Sequence, residues 1–498
     1  MIKIALIRPF HPSLIGHPFE KSPPYGLYEL KGYLDTYTSF QTRILDLAHL
    51  PHWKLSLAKI LPRYAFDVFG ITALSPSRFE AIKLARYVKK FNPQVCVVVG
   101  GVHFAHCAED TLTHVSEIDA VVHGEGGITI IELAKAIDVR GWFGRIKGIS
   151  FRSKDRIVKT APNDYSKDAG ISLSLNGDSS RYKEYVRDYP VAIPARAVMA
   201  SKGCPARCIY CCNLAKIYHT RSPKDVIAEI KLIREKHGVR GINFLDCAFT
   251  ADRHHLEDLC REMIDSRLDL KWWCESRADM PLELLGDMKK AGCVSLAFGL
   301  ESGSQRILSV ISKGITVRQI VDFVNGCNAL GIYVKPFSMF SLPGEEERDA
   351  IETLNLLDEI ESYPFTIRGS FQPTMIFPGT ELETLARDKE ILGRQFSWST
   401  HYESALSRML LQHPSIPIYM EKDKMPPEVL KNLYLGRASR LLASSLNRCH
   451  VVKEFSSLIK NYPSIIRYNL PYIFSHRLWK KVLAYFSRRR KTAKKNGN

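Results

Sequence analysis

Twice along the chain, short β-branched apolar runs alternate with amphipathic stretches, and this rhythm restricts the fold more than any other feature. Strands that read as unbroken apolar runs must be covered on both faces. That calls for parallel sheets with crossover helices. The first set comprises Lys3–Arg8, Thr42–Leu47, Asp67–Thr72, Val95–Val99 and Ala120–Val122. Apolar spacing predicts helices over Leu27–Tyr37, 77–91 and Ile128–Ile137, the first opened by Pro23-Pro24-Tyr25-Gly26. The fold class is α/β, beginning with a Rossmann-like, doubly wound parallel sheet. Such sheets bind ligands at the carboxyl ends of their strands. Thr72, Ser75, Gly100, Gly101, Gly124 and Glu125 stand there. Glycine at a strand end lets a ligand approach the backbone. No Gly-x-Gly-x-x-Gly follows the first strand, which argues against a nicotinamide site.

The rhythm lapses over residues 146–195, a polar, turn-rich connector with one small strand near 146–152. It resumes with six candidate strands: Arg196–Gly203, Gly241–Phe249, Lys271–Asp279, Val294–Ser302, Tyr333–Pro343 and Thr366–Met375. Helices are predicted between them at 223–237, 252–267, 281–291, 316–330 and 347–361. Six units fall short of an eight-fold barrel, so the expectation is a partial (β/α)6 TIM barrel, open on one side. Strand signals fade after residue 390. The division expected is 1–145, 146–195, 196–390 and a mainly helical, basic region over 391–498.

Three cysteines, Cys204, Cys208 and Cys211, follow the first barrel strand at Cys-x3-Cys-x2-Cys spacing. Thiolates on one short loop converge on a soft metal centre. Three of them hold three irons of a cubane and leave the fourth open. A zinc site normally takes four ligands in two pairs, and no second Cys-x2-Cys exists. Cys212 reads as a spare thiol. Cys247, Cys260 and Cys274 fall on expected strands or helices. The other cysteines of the twelve are scattered, which suits a reducing, cytoplasmic setting better than a disulfide framework.

The net charge of +18 is uneven. After Glu454 there is no acidic residue, and eleven lysines and arginines follow. The basic character is largely a property of the tail, which argues against a nucleic-acid groove through the body. No signal peptide or membrane span is visible. Aromatic and basic residues over Tyr468–Arg490 fit either a packed terminal helix or peripheral contact with an anionic membrane.

In order, the motifs resemble a known family. Pro-Pro-x-Gly-Leu (from Pro23), Ile-Thr-x-Leu-Ser (from Ile71), Val-Val-x-Gly-Gly (from Val97) and His-Gly-Glu-Gly (from His123) resemble the cobalamin-binding domain found ahead of many radical SAM domains. The Asp-x-His-x-x-Gly that supplies a lower cobalt ligand is absent. Cys204-x3-Cys208-x-Tyr210-Cys211 resembles the radical SAM signature. The resemblance continues through Phe244-Leu245-Asp246, Glu275-Ser276-Arg277, Gly299-Leu300-Glu301-Ser302-Gly303, Leu342-Pro343-Gly344-Glu345 and Pro378-Gly379-Thr380.

That resemblance implies a 4Fe-4S cluster on the three cysteines and S-adenosylmethionine chelated by the open iron. It implies cobalamin on the first sheet, with Thr72, Ser75, Gly100, Gly101, Gly124 and Glu125 as its contacts. Tyr210, Asp246, Glu275, Arg277, Glu301 and Ser302 become expected S-adenosylmethionine contacts. Each has a structural alternative in an internal ion pair or ordinary packing. The chemistry implied is reductive cleavage of S-adenosylmethionine and functionalisation of an unactivated carbon, chiefly by cobalamin-dependent methyl transfer. Cyclisation, rearrangement or dehydrogenation without cobalamin is the alternative, and a non-enzymatic iron–sulfur or cobalamin carrier a third. Partners implied are a small-molecule substrate, lipid-like or soluble, and an electron donor such as flavodoxin or ferredoxin. His103, His106 and His123 follow strand ends of the first domain and read as solvated loop histidines, with a cobalt-facing role as the alternative.

Overall fold

The computed structural model describes residues 2–11, 23–163 and 184–434, except 140, 142, 155, 187, 188, 213–217 and 411, together with Arg437. The basic tail and its aromatic segment lie outside the described residues. Among those residues no helix is long and apolar enough to cross a membrane.

The first sheet holds β1 (Lys3–Arg8), β2 (Gln41–Asp46), β3 (Val68–Thr72), β4 (Cys96–Gly100), β5 (Ala120–Val122), β6 (Ile149–Ser153) and β7 (Arg156–Lys159). Its order is β2-β1-β3-β4-β5-β6-β7. The first five strands are parallel, and β6 and β7 join antiparallel. The strand order reverses between β1 and β3, which places a ligand crevice at that end of the sheet. Both faces are covered, as the apolar strands require. Leu57, Ala81, Ala85, Val88 and Leu112 pack one face. Leu27, Leu34, Ile130 and Leu133 pack the other.

The sheet runs further than its sequence rhythm, because β6 and β7 form a hairpin that carries it to Lys159. An eight-residue helix, Trp53–Ile60, was not expected either.

The second sheet holds β8 (Glu184–Tyr185), β9 (Pro194–Val198), β12 (Gly241–Phe244), β13 (Lys271–Ser276), β14 (Cys293–Glu301), β15 (Tyr333–Phe340) and β16 (Ser370–Pro373). Its order is β16-β15-β14-β13-β12-β9-β8. The six expected strands are present, parallel and in sequential order, with β8 antiparallel at one edge. The first expected strand is split. After β9 the chain turns into β10 (Ser201–Lys202), which pairs antiparallel with β11 (His219–Thr220). The cysteine loop is suspended between these two short strands.

Helices Pro223–His237, Arg253–Asp265, Val317–Ala329 and Glu347–Ile360 cover the outer face. Their ends carry ordinary signals. Thr316 and Gln319 form a capping box, and Gly238 closes its helix in the left-handed region at φ 64°. Past β16 the chain runs back across the first sheet. Ile376, Leu382, Trp398 and Tyr419 pack with Cys107 of that domain.

Candidate active site

The cysteine loop rests on Asp246. This carboxylate is buried at the end of β12 and accepts Ala200 N at 3.1 Å, Ser201 Oγ at 2.6 Å and Ser201 N. Burial, opposed by those hydrogen bonds, pushes it up to about 6. Asp246 therefore supports the backbone ahead of Cys204; the structure places it beneath the loop.

Cys204 and Cys208 are half-buried, Cys211 is exposed, and none is in a disulfide. The loop is closed on itself by Cys211 N donating to Cys208 O at 3.1 Å. Among the described residues, no three His, Cys, Asp or Glu side chains already converge at ligating distance. The donor set nonetheless fits an iron–sulfur cluster: three thiols on one short loop, none of them in a disulfide. Thiolate ligands are ordinarily drawn together by the metal they bind.

Beneath the loop lies a chain of polar contacts that joins strand ends. Tyr210 donates to Glu301 Oε1 at 2.9 Å, and Lys313 Nζ donates to the same oxygen at 2.8 Å. Burial first, then Glu301 and Cys208, raises the Tyr210 phenol well above its ordinary value. Arg277 donates to Lys313 O at 2.7 Å and holds Asp279 through two nitrogens. Burial alone would lower Arg277; Asp279, then Cys208 and Cys204, raise it instead. Arg277 thus sits within electrostatic reach of two of the three sulfurs, a suitable place for a cation that receives a carboxylate. Glu275 is the last residue but one of β13 and is exposed. The surrounding protein, then Glu275, Cys211 and Cys204, pushes the nearby Cys247 thiol up to about 11.

Ser302 belongs elsewhere. Its hydroxyl is fully buried, 3.1 Å from Thr353 Oγ1 in helix Glu347–Ile360, and accepts Ser304 N. It fixes the turn after β14, and Tyr210, Arg277 and Glu301 are the expected residues that the fold brings together under the loop.

On the first sheet, Gly100 ends β4, Gly101 directly follows it, and Gly124 follows β5, with φ 83° at Gly101 and 64° at Gly124. Thr72 packs against Gly101, where a Cβ would lie 2.5 Å from Thr72 Oγ1. These neighbouring ends expose backbone in place of side chains, which suits a broad planar ligand such as a corrin. Ser75 is engaged by His103, with Oγ and Nδ1 3.0 Å apart. His106 and His123 are half-buried, and only His103 is withdrawn from solvent. His103 is buried and held well below its ordinary value by burial, then by Arg78 and His106. His123 lies 3.1 Å from Ala105 O and 2.8 Å from Ser150 Oγ.

The two sheets meet carboxyl end to carboxyl end. Glu125 reaches across to Lys202, which also takes Glu29, with Nζ 3.2 Å and 2.5 Å from the two carboxylates. Burial would lower the Lys202 ammonium, but the two carboxylates raise it above its ordinary value. His106 Nε2 lies 3.2 Å from Cys212 O. Lys202, Glu29 and Lys313 were not singled out from sequence; Glu29 and Lys202 stand 173 residues apart, which no spacing rule links.

Comparison with known proteins agrees with this geometry. The family model for the Radical SAM superfamily matches residues 198–357, and that for the B12 binding domain matches 14–134. An uncharacterized methyltransferase of Pyrococcus horikoshii is 30% identical over 332 residues, covering 66% of this chain and 70% of the relative. An anaerobic magnesium-protoporphyrin IX monomethyl ester cyclase of Cereibacter sphaeroides is 27% identical over 60% of this chain and 50% of its own length. Among solved structures, the radical S-adenosylmethionine methyltransferase TsrM of Kitasatospora setae, with cobalamin and a [4Fe-4S] cluster bound, superposes with TM-score 0.63 at 18% identity, covering 78% of this chain and 76% of that one. OxsB with aqua-cobalamin and S-adenosylmethionine bound gives 0.68 at 15% identity over 99% of this chain and 75% of that one. With its cysteine loop faced by a corrin-type sheet, the chain belongs to the radical SAM superfamily, in the subgroup that carries a cobalamin-binding domain.

Proposed function

We propose that this protein is a cobalamin-dependent radical SAM methyltransferase acting on an unactivated carbon of a small molecule. The observation that carries the reading is the direct contact between the cysteine loop and the glycine-lined ends of the first sheet. A cluster with an open iron supplies the electron that cleaves S-adenosylmethionine, and a corrinoid supplies a transferable methyl group.

The chain's own residues define the rest. Cys204, Cys208 and Cys211 are the cluster ligands. Arg277 is placed for the methionine carboxylate, with Glu275 beside it at the same rim. Tyr210 and Glu301 form the wall under the loop. Gly100, Gly101 and Gly124 form the corrin-facing edge, with Thr72 packed against Gly101. Asp246 fixes the base of the loop, so that the ligands are held in register and water has less access from below. The basic tail suits an amphiphilic substrate and equally a soluble metabolite or a peptide, and a flavodoxin or ferredoxin is the proposed electron donor. Similarity to the anaerobic cyclases supports ring formation as a second reading.

Anaerobic protein reconstituted with iron, sulfide and hydroxocobalamin, reduced by dithionite and supplied with S-adenosylmethionine, tests this. Corrinoid retained after desalting, with both 5′-deoxyadenosine and S-adenosylhomocysteine formed, is expected. 5′-Deoxyadenosine without retained corrinoid would sink methyl transfer and favour cyclisation. Replacing Cys204, Cys208 and Cys211 together by Ala should abolish cluster and cleavage; a variant that still cleaves S-adenosylmethionine overturns the cluster assignment.

A further inference from the structure

The cysteine loop is gripped at both ends by the other domain. Lys202 stands two residues before Cys204, and Cys212 directly follows Cys211. Lys202 is held by Glu29 and Glu125, and the Cys212 carbonyl by His106. The two carboxylates come from different elements of the first domain. Glu29 lies on helix Tyr25–Tyr37, and Glu125 lies in the turn between β5 and helix Gly127–Asp138. The helix is itself pinned to the second sheet, because Tyr25, one turn before Glu29 and on the same face, donates its hydroxyl to Glu184 of β8.

The His106 side is fixed as well. Gly379 packs so closely against the imidazole that a Cβ there would lie 2.3 Å from Nδ1. His106 follows the short helix Gly101–Phe104 that begins at the glycine end of β4. Glu125 follows Gly124. Each grip therefore starts one to five residues from a glycine of the corrin-facing edge. Lys202 has 18% of its side chain exposed, Glu29 13% and Glu125 31%, so solvent screens these charges less than those of a surface pair.

We propose that Lys202, with Glu29 and Glu125, and His106 are positioning residues that make the cluster loop and the corrin-facing edge one mechanical unit. This rests on the cobalamin-dependent reading above. A ligand that orders the β4 and β5 ends then orders the cysteine loop. The distance between the two reacting centres is set by these side chains, not by the linker between domains. Removing the grip leaves each cofactor site built but lets the two drift, and small displacements at reacting centres carry large rate penalties.

The test is amide hydrogen exchange across residues 201–212 in cluster-reconstituted protein, with and without hydroxocobalamin, together with the electron paramagnetic resonance spectrum of the reduced cluster. In the wild-type protein, hydroxocobalamin should slow exchange in this loop and alter the cluster signal. Lys202→Met should diminish that slowing by about tenfold, the scale of a lost charge-assisted hydrogen bond. The double variant Glu29→Gln with Glu125→Gln should match it, and serves if Lys202→Met fails to fold. Lys202→Arg should retain most of the response. His106→Leu should lose part of it, and His106→Gln, which keeps a donor, should lose less. Wild-type protein that retains no corrinoid overturns the functional reading and this inference with it. Corrinoid retained, with Lys202→Met responding as the wild type does, overturns the inference alone.

Discussion

Glu301 and Lys313 form an ion pair, 2.8 Å from Oε1 to Nζ, with less than a tenth of either side chain exposed. Tyr210 shares the same carboxylate oxygen. Breaking a buried pair by deleting one partner leaves the other charge without compensation. Lys313→Met should cost about 3–5 kcal/mol in urea unfolding. Adding Glu301→Met to Lys313→Met should recover much of that loss, since an apolar replacement of both members often restores stability. A Lys313→Met protein as stable as the wild type would remove the pair from any account of this wall.

Gly299 makes room for that pair. A Cβ at this position would lie 2.1 Å from Glu301 Oε1 and 2.5 Å from Lys313 Nζ. Gly299→Ala should therefore force the network open, at about 1–3 kcal/mol. In the Lys313→Met background the same change should cost distinctly less, because one of the two colliding groups is gone. Equal costs in the two backgrounds, by urea midpoint, would show that the strain arises elsewhere.

Asp246→Asn removes one acceptor beneath the cysteine loop while keeping the side chain's shape. The aspartate takes donors from Ala200 and Ser201. Losing a bond to a charged group costs about 1.5–3 kcal/mol. Because the loss falls on the segment leading into Cys204, reconstituted iron content should drop with stability. Full iron loading with lowered stability would mean that the loop does not depend on this support.

The cysteine loop was legible in sequence because its three thiols stand close together in the chain, at a spacing that suggests a metal centre. The βα rhythm was legible for a similar reason: burial on both faces leaves strands with no polar alternation. What the sequence hid were side chains whose partners are distant. Glu29 meets Lys202 across 173 residues, and Arg78 meets Trp398 across 320. No periodicity links such pairs. Ser302 and Asp246 occupy motif positions and face a helix and a backbone, a difference set by which way each strand end turns. The first strand of the β6–β7 hairpin was expected, but β7, Arg156-Ile157-Val158-Lys159, was missed because it has charged ends and only two apolar residues.

Arg78 fastens the chain beyond β16 to the first domain. Its guanidinium is fully buried and donates to Trp398 O at 2.8 Å, Ser415 O at 2.6 Å, Ser415 Oγ at 3.1 Å and Ser75 O at 2.7 Å. It also lies 4.1 Å from the centre of the Phe79 ring. Burial lowers the guanidinium to about 10, so it stays charged at neutral pH. Arg78→Met should orphan three carbonyls and free the segment around 397–416. Limited proteolysis should then cut there at least about tenfold faster, the equivalent of about 1.4 kcal/mol of local opening. Arg78→Lys should rescue only partly, since one ammonium does not span four acceptors in the planar fork that Arg supplies. Unchanged cleavage in Arg78→Met would mean that the apolar contacts of Trp398 and Tyr419 hold this segment alone.

Glu345 gives the fold a pH dependence of unusual sign. The carboxyl is buried at the turn before helix Glu347–Ile360. Oε2 accepts Leu342 N at 3.0 Å, while Oε1 has no hydrogen-bond partner among the described residues. Burial outweighs the backbone donors of Leu342 and Ser341 and pushes the group up to about 8, with Asp349 adding to the rise and Arg306 opposing it. The folded chain therefore keeps this proton up to about pH 8, whereas the unfolded chain releases it near the ordinary glutamate value. Between about pH 4.5 and 8 the native state binds more protons than the unfolded state, so this group's contribution to stability falls as pH rises. The slope is about 1.4 kcal/mol per pH unit within that window and vanishes outside it. Glu345→Gln carries no titrating proton and should abolish the slope. The difference in unfolding free energy between variant and wild type, measured by urea titration from pH 5 to 9, should move steadily in favour of the variant and level off above pH 8. A difference that stays flat across that range would show that Glu345 is ionised in the folded protein and has found a partner for its second oxygen.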